Sequence, residues 1–388
     1  MMTTAQTREP KIEFSKSLIL VAQFAFLPTG ILNTILGPML PHMIGRWSLT
    51  DAQAGNLFLI QFLSALLGVQ LSGVLLSRFG YKPAFLGSLL CMALGAATLW
   101  LGSVQLGFIA VAIYGFGVGS IIPTDSLLVA EISPPESRTS AVNLLNFFWG
   151  VGAVLCSLLV TWSAARNLIP AFLGAVTVLL LLLAVVMRGF PFPAAEKSPE
   201  HAVRWGPIAR SPVIWLFALV FFFYPGAETA VGGWIGSYVS RLGARGAAMA
   251  SLMPAFFWAA LTLGRALGTA LLRGVSEPPV LRGGFAAATL GIGLMLWAPN
   301  LTTVIAGALL TGLSYATLYP ITVSRFSHHF GIAARSIGAV MFSLASLGPA
   351  MIPWLVGVTS QATGSLRSGL FLPFAATILL LLIHLRDW

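Results

Sequence analysis

Three carboxylates stand within long apolar stretches of this chain: Asp125, Glu131 and Glu228. A charge at the centre of a bilayer-length helix costs about 3 kcal/mol on insertion scales, so such an acid is read first as a functional group. Glu228 lies in FYPGAETAVGGW, inside a run from about Pro212 to Val239 with no other charged residue. Tyr224, Glu228 and Gly232 are spaced i, i+4, i+8 and share one helix face, where the glycine leaves room beside the carboxylate. Counted at about 1.5 Å per residue, Glu228 lies near mid-membrane, Asp125 about two turns from one face, and Glu131 at that face's edge. A desolvated carboxylate at Glu228 can bind a proton on one side and release it on the other. The bland alternative is that it only accepts hydrogen bonds from neighbouring helices. By the same count Arg265 lies about three turns from Glu228, too far for an obvious pair, and nearer in depth to Asp125 and Glu131. Asp125 is thus either a second proton site or the structural partner of Arg265.

The neutral polar residues offer a second kind of chemistry. Asn143 and Asn146 are three apart and Trp149 is three further on, which sets amide donors and acceptors beside an aromatic plate. Sugars present hydroxyls at their rim and C–H groups on their faces, and amides with aromatics suit both. Further candidates for solute contact are Gln23, Asn33, Gln61, Trp234, Trp258 and the i, i+4 pair Tyr315 and Tyr319. Against each stands a structural use: membrane amides act as interhelical glue worth ~0.6 kcal/mol, and tryptophans favour the interfaces.

The elements that must position these residues follow from composition. Of 388 residues 57% are hydrophobic and only 8% charged, whereas a soluble domain carries about 25% charge. Twelve apolar runs of bilayer length follow one another, among them 18–40, 247–272 and 301–324. Each can cross a core of roughly 30 Å as a helix. The expectation is an all-α integral membrane protein of twelve transmembrane helices. A polar tail occupies residues 1–17, and a charged, proline-bearing linker at 189–211 separates six helices (18–188) from six (212–388). Cys91 and Cys156 fall inside runs and read as small hydrophobes.

The net charge of +10 is a question of sidedness here, not of nucleic acid. With both termini on one side, that side holds fifteen Lys and Arg, including all four lysines. The other holds Arg46, Arg166, Arg241, Arg245 and Arg367, and Arg265 lies inside a run. This bias orients both termini to the cytoplasm of a cell membrane.

Unusual residues recur across the linker at a separation of 197: Pro28 with Pro225, Gly115 with Gly312, Pro123 with Pro320, and Arg138 with Arg335. The halves read as duplicates with the solute site between them near the midplane, and the four prolines are expected to kink the cavity-lining helices.

The segment Gly73-VLLSRFGYK resembles the major facilitator signature G-x-L-a-D-r-x-G-r-k, with Gly73, Arg78, Gly80 and Lys82 in place and Ser77 at the acid's position. Glu131 and Arg138, with Pro134 between them, are similar to the E-x6-R element of sugar porters. The resemblance implies two six-helix bundles and a gating role for Arg78, Glu131 and Arg138, whose ion pairs hold the halves together while the site faces outward. Arg265 is placed with this set by depth. The second-half copies are remnants: Gly268, Arg273 and Gly274, with His328 opposite Glu131. YPGAETAVGGW, the Asp125 segment, RTSAVNLLNFFWGVGA and FWAALTLGR resemble the fucose and glucose permease branch, although span 1 lacks the acid those permeases carry.

The expected function is secondary active transport of a small polar solute, a sugar foremost, by alternating access, with proton coupling at Glu228. The alternative is export of amphipathic drugs or lipids. No enzyme is expected, since no nucleophile with a base, HExxH or GxGD is found, and no Walker motif is present. No cofactor or metal is called for. The expected partners are the solute, a proton and the bilayer, not nucleic acid, and the chain is expected to act as a monomer.

Overall fold

The computed structural model describes residues 11–193, 210–271, 274–298, 300–331 and 334–386. Arg273, with part of the tail and most of the linker, lies outside them, as does the side chain of Arg335. The described residues form helices joined by short turns. In the first half these are α1 (Lys11–Thr34), α2 (Leu36–Trp47), α3 (Asp51–Phe79), α4 (Tyr81–Thr98), α5 (Val104–Ile132), α6 (Arg138–Ala164) and α7 (Ile169–Arg188). In the second they are α8 (Pro212–Ser240), α9 (Ala244–Met249), α10 (Met253–Leu271), α11 (Glu277–Leu296), α12 (Leu301–Tyr315), α13 (Leu318–Phe330), α14 (Ala334–Thr363) and α15 (Leu366–Leu385). Ten stretches are long and apolar enough to cross a membrane. The shorter α4, and α10 with Arg265 in it, complete twelve crossings. The first helix begins at Lys11, inside the stretch expected to be tail.

Three expected spans are broken in two, and each break lies four residues before a proline. The junction of α1 and α2 follows Thr34 and precedes Pro38; that of α9 and α10 spans Ala250 and precedes Pro254; that of α12 and α13 spans Ala316 and precedes Pro320. A proline ring clashes with the carbonyl four residues back and offers no N–H to it, which ends the helix there. Helices α1, α5 and α8 run on through Pro28, Pro123 and Pro225. Of the four prolines expected to bend the cavity helices, only Pro320 sits at a break.

Equivalent helices of the two halves start at the spacing seen in the sequence. Leu301 opens α12 as Val104 opens α5, and Leu366 opens α15 as Ile169 opens α7, each pair 197 residues apart. Packing repeats as well: α1 lies on α6 as α8 lies on α14, and α4 packs α5 and α7 as α11 packs α12 and α15. Gly80 alone joins α3 to α4 at φ +81°, a left-handed turn that a side chain would strain. This is the physical reason for the glycine in the loop motif.

The halves meet along α3 with α14, α6 with α10, and α2 with α8. At the end bearing the 48–50 turn, Asp51 accepts two hydrogen bonds from Arg241, at 2.9 and 2.5 Å, and one from Ser360 at 2.5 Å. Thr50 caps α3 there in a reciprocal pair with Gln53, so Asp51 is held at the first position of the helix. His42 reaches Ser251 at 2.8 Å beside it. This end is closed by contacts between halves.

Candidate functional site

The opposite end is open. A cavity of about 790 Å³ lies between α6 on one side and α10, α11 and the start of α13 on the other, with Asn143, Asn146, Thr262, Arg265 and Tyr319 in its wall. That volume is within the range of small-ligand sites. Behind its lining residues Arg265 and Tyr319 stands the FYPGAETAVGGW face. Tyr224 and Glu228 are buried on α8, and Tyr224 Oη lies 2.6 Å from Glu228 Oε2 and 2.7 Å from the carbonyl of Tyr315. That carbonyl is available because α12 ends at Tyr315, ahead of Pro320, and terminal carbonyls lack a helical donor. Tyr224 also stacks on Tyr319 at 5.8 Å and 19°. Tyr315 Oη is bonded to Thr377 at 2.6 Å.

The space beside Gly232 is not empty. The Trp258 indole fills it, and a methyl group on Gly232 would collide with that ring. Trp258 meets Trp149 edge-on at 5.6 Å, and the Arg265 guanidinium lies 5.8 Å from the Trp149 ring. Trp258, Thr262 and Arg265 follow at i, i+4, i+7 and so share one face of α10.

Arg265 Nη2 lies 3.7 Å from Glu228 Oε2. This corrects the expectation that the two are too far apart to pair. Helix α8 has 29 residues, roughly 44 Å at 1.5 Å each, longer than a core of about 30 Å. The membrane boundary therefore lies inside Pro212, and counting from Pro212 set Glu228 too high. The long arginine stem closes the rest of the gap. Asp125 is not the partner found for Arg265. It is 0% exposed on α5, and neither of its carboxylate oxygens has a hydrogen-bond partner among the described residues.

The remaining sequence candidates divide between wall and scaffold. Asn143 is exposed in the cavity, and Asn146 lines it while giving Nδ2 to Val142 of its own helix at 2.9 Å. Trp149 is half-buried behind them. Gln23 donates to Ala141 at 3.2 Å, and Gln61 donates to the Asn33 carbonyl at 2.9 Å while accepting from Tyr114 at 3.1 Å. Both amides thus join helices of the first half. Trp234 is wholly buried between the halves, donates to Pro353 at 2.9 Å and meets Phe58. Arg78, Glu131 and Arg138 are exposed at the open end. Among the described residues no ion pair joins them, and Glu131 instead accepts from Tyr81 at 2.5 Å. Asp51, Arg241, Ser360, Thr262 and Tyr81 were not singled out by sequence. The only local signal was the Thr50 to Gln53 capping pattern, which marks a helix start and not an ion pair.

Comparison with known proteins places this geometry. The Major Facilitator Superfamily model matches residues 23–353. An uncharacterised MFS-type transporter of Yersinia pestis is 25% identical over 346 residues, covering 87% of this chain and 88% of that one. The glucose/mannose transporter GlcP of Bacillus subtilis is 22% identical over 378 residues, covering 93% and 92%. Among solved structures, a bacterial homologue of the human lysosomal transporter Spinster, inward-facing and occupied, superposes with a TM-score of 0.77 at 13% identity over 97% of each chain. With a duplicated twelve-helix bundle, a cavity between its halves and a family match over most of its length, the chain belongs to the major facilitator superfamily and is a multi-pass membrane transporter.

Proposed function

We propose that the protein carries a small polar solute by alternating access, with Glu228 taking up and releasing one proton per cycle. What supports the proton role is the hydrogen-bond arithmetic at Tyr224, whose one hydroxyl proton faces two acceptors. If Glu228 is ionised, Tyr224 donates to it and the Tyr315 carbonyl goes without. If Glu228 is protonated, it donates to Tyr224 Oη, which donates on to Tyr315, and every group is satisfied. Arg265 at 3.7 Å favours the ionised form. The two neighbours pull in opposite directions, as a group that changes protonation during a cycle requires.

A sugar-sized, hydroxylated solute fits this reading, supported by Asn143 and Asn146 with Trp149 behind them and by the likeness to GlcP. The basic end is taken as cytoplasmic, so the cavity faces inward and the separated Arg78, Glu131 and Arg138 belong to that open state. Export of amphipathic compounds is the second reading, favoured by Leu144, Phe147 and Val280 in the cavity wall. Competition between sugars and amphiphiles for binding to purified protein separates the two.

Tyr224→Phe keeps the stack on Tyr319 and removes the hydroxyl. Uptake driven by a pH gradient in proteoliposomes is expected to fall about tenfold, the equivalent of one hydrogen bond of about 1.4 kcal/mol, with solute affinity little changed. Asp125→Asn, on the other hand, is expected to leave gradient dependence intact, because Asp125 is sealed from the cavity. Loss of coupling in Asp125→Asn would move the proton site to α5.

A further inference from the structure

The face of α10 that lines the cavity is made of hydrogen-bond donors. Arg265 carries five N–H groups and no acceptor, and the Trp258 indole, on the same helix face but behind the lining, is a donor only. Thr262 could serve either way, yet its hydroxyl behaves unlike those of comparable threonines here. Thr124, Thr311, Thr322 and Thr377, all buried in helices, give their hydroxyls to the carbonyl four residues back. Thr262 makes no such bond: its Oγ1 and the Trp258 Nε1 are buried polar atoms without a partner among the described residues, at 7% and 5% residue exposure. Thr262 Oγ1 is turned across to Gly150 of α6, where a methyl group would collide with it, and both residues line the cavity. Leaving buried donors unmatched is costly, so they point to an occupant that accepts.

Charge points the same way. Arg265 is the cation among the described residues of the cavity wall, with its side chain 27% exposed and 3.7 Å from Glu228, and Glu277, the carboxylate of that wall, also lines the adjoining pocket of Arg325 and His328. A neutral polyol both donates and accepts, and it gives a guanidinium no counter-charge. A carboxylate only accepts, and its paired oxygens match the guanidinium fork. An anion on Arg265 also releases Glu228 to hold its proton with Tyr224.

We propose that the transported solute is a small organic monocarboxylate, bound with its carboxylate on Arg265 and Thr262 and its body against the aromatic wall of Phe147 and Tyr319. This rests on the reading of the cavity as the solute site given above. It narrows that reading to solutes bearing an acid, of which sugar acids and aromatic acids are the two sources.

Two matched pairs separate the sources and the charge: gluconate with glucose, and nicotinate with nicotinamide. Binding to the purified full-length protein is read by thermal shift and calorimetry, and transport by counterflow in proteoliposomes. At least one acid is expected to bind tenfold or more tighter than its neutral partner. Arg265→Gln is expected to weaken that acid at least tenfold, and Thr262→Val, which keeps the side-chain shape, several-fold. Arg265→Lys keeps the charge and is expected to restore part of the affinity, which separates loss of the site from loss of the fold. Equal binding of acid and neutral partner, undiminished acid binding in Arg265→Gln, or no binding of either acid overturns the assignment. Counterflow of glucose with neither acid bound would overturn it while leaving the transporter reading in place. Only failure of every solute to exchange would count against both.

Discussion

Glu228→Gln is expected to abolish uphill uptake driven by a pH gradient while leaving counterflow running. Glutamine keeps the size of the protonated acid, and its amide donates to Tyr224 Oη as the acid's O–H would, so Tyr224 can still donate to Tyr315 at 2.7 Å. The variant therefore resembles the loaded carrier and can rock between its two openings. What it lacks is a proton to release. One proton per solute across a gradient of one pH unit supports about tenfold accumulation, the equivalent of 1.36 kcal/mol. Wild-type vesicles are expected to approach that ratio at steady state and Glu228→Gln vesicles to stop at unity. Accumulation retained in the variant would remove Glu228 from the coupling path and leave it as a hydrogen-bonding group between helices. Arg265 makes a second prediction of direction: with the carboxylate gone, its 3.7 Å partner is neutral, so an acidic solute meets less competition for the guanidinium and its affinity rises.

The duplicated scaffold was legible because it leaves regular marks. Apolar runs of bilayer length give the crossings, and matched residues 197 apart anticipate the paired helix starts at Val104 and Leu301 and at Ile169 and Leu366. The Tyr224 and Glu228 face was legible too, since i and i+4 on an unbroken helix are neighbours whatever else surrounds them. Contacts between helices were not. The Arg265 and Glu228 pair was obscured because depth was counted as if every helix stood upright and ended at its last apolar residue, whereas α8 is 29 residues long. Asp51 and Arg241 are 190 residues apart, each at a helix end where a charge is unremarkable. The role of Thr262 was invisible for another reason. Its sequence neighbours do not say whether a hydroxyl turns back to its own helix or out to a cavity. Prolines do not by themselves say where a helix stops: interruptions come about one turn ahead of Pro38, Pro254 and Pro320, while Pro28, Pro123 and Pro225 are carried within continuous helices.

Gly357→Val is expected to hold the transporter in its opposite opening. Gly357 on α14 lies where α3 crosses it, against the Asp51 carbonyl and the Cα of Gly55, and a β-carbon there would collide with backbone that cannot turn aside. The tightest obstruction lies between the halves, and within its own half the added carbon meets only a ring edge, that of Trp234 on α8 at 3.1 Å, which can give, so the packing of α1 on α6 and of α8 on α14 is largely kept. The variant should therefore fold and melt near the wild type while its halves fail to close at the Asp51 end. Asn143→Cys, introduced into the exposed cavity wall, reports the state through labelling by an impermeant maleimide applied from the basic end. Labelling is expected to fall about tenfold or more in Gly357→Val, since moving a two-state equilibrium that far needs only about 1.4 kcal/mol, less than a main-chain collision supplies. Asp51→Asn should move it in the same direction but less, because the Arg241 side chain is 40% exposed and exposed pairs typically contribute about 1 kcal/mol or less. A graded response, glycine larger than aspartate, would mean that steric closeness of α3 and α14 governs closure of this end and that the ion pair with Ser360 only biases it. Unchanged labelling in Gly357→Val would mean that the two openings do not exchange through this interface.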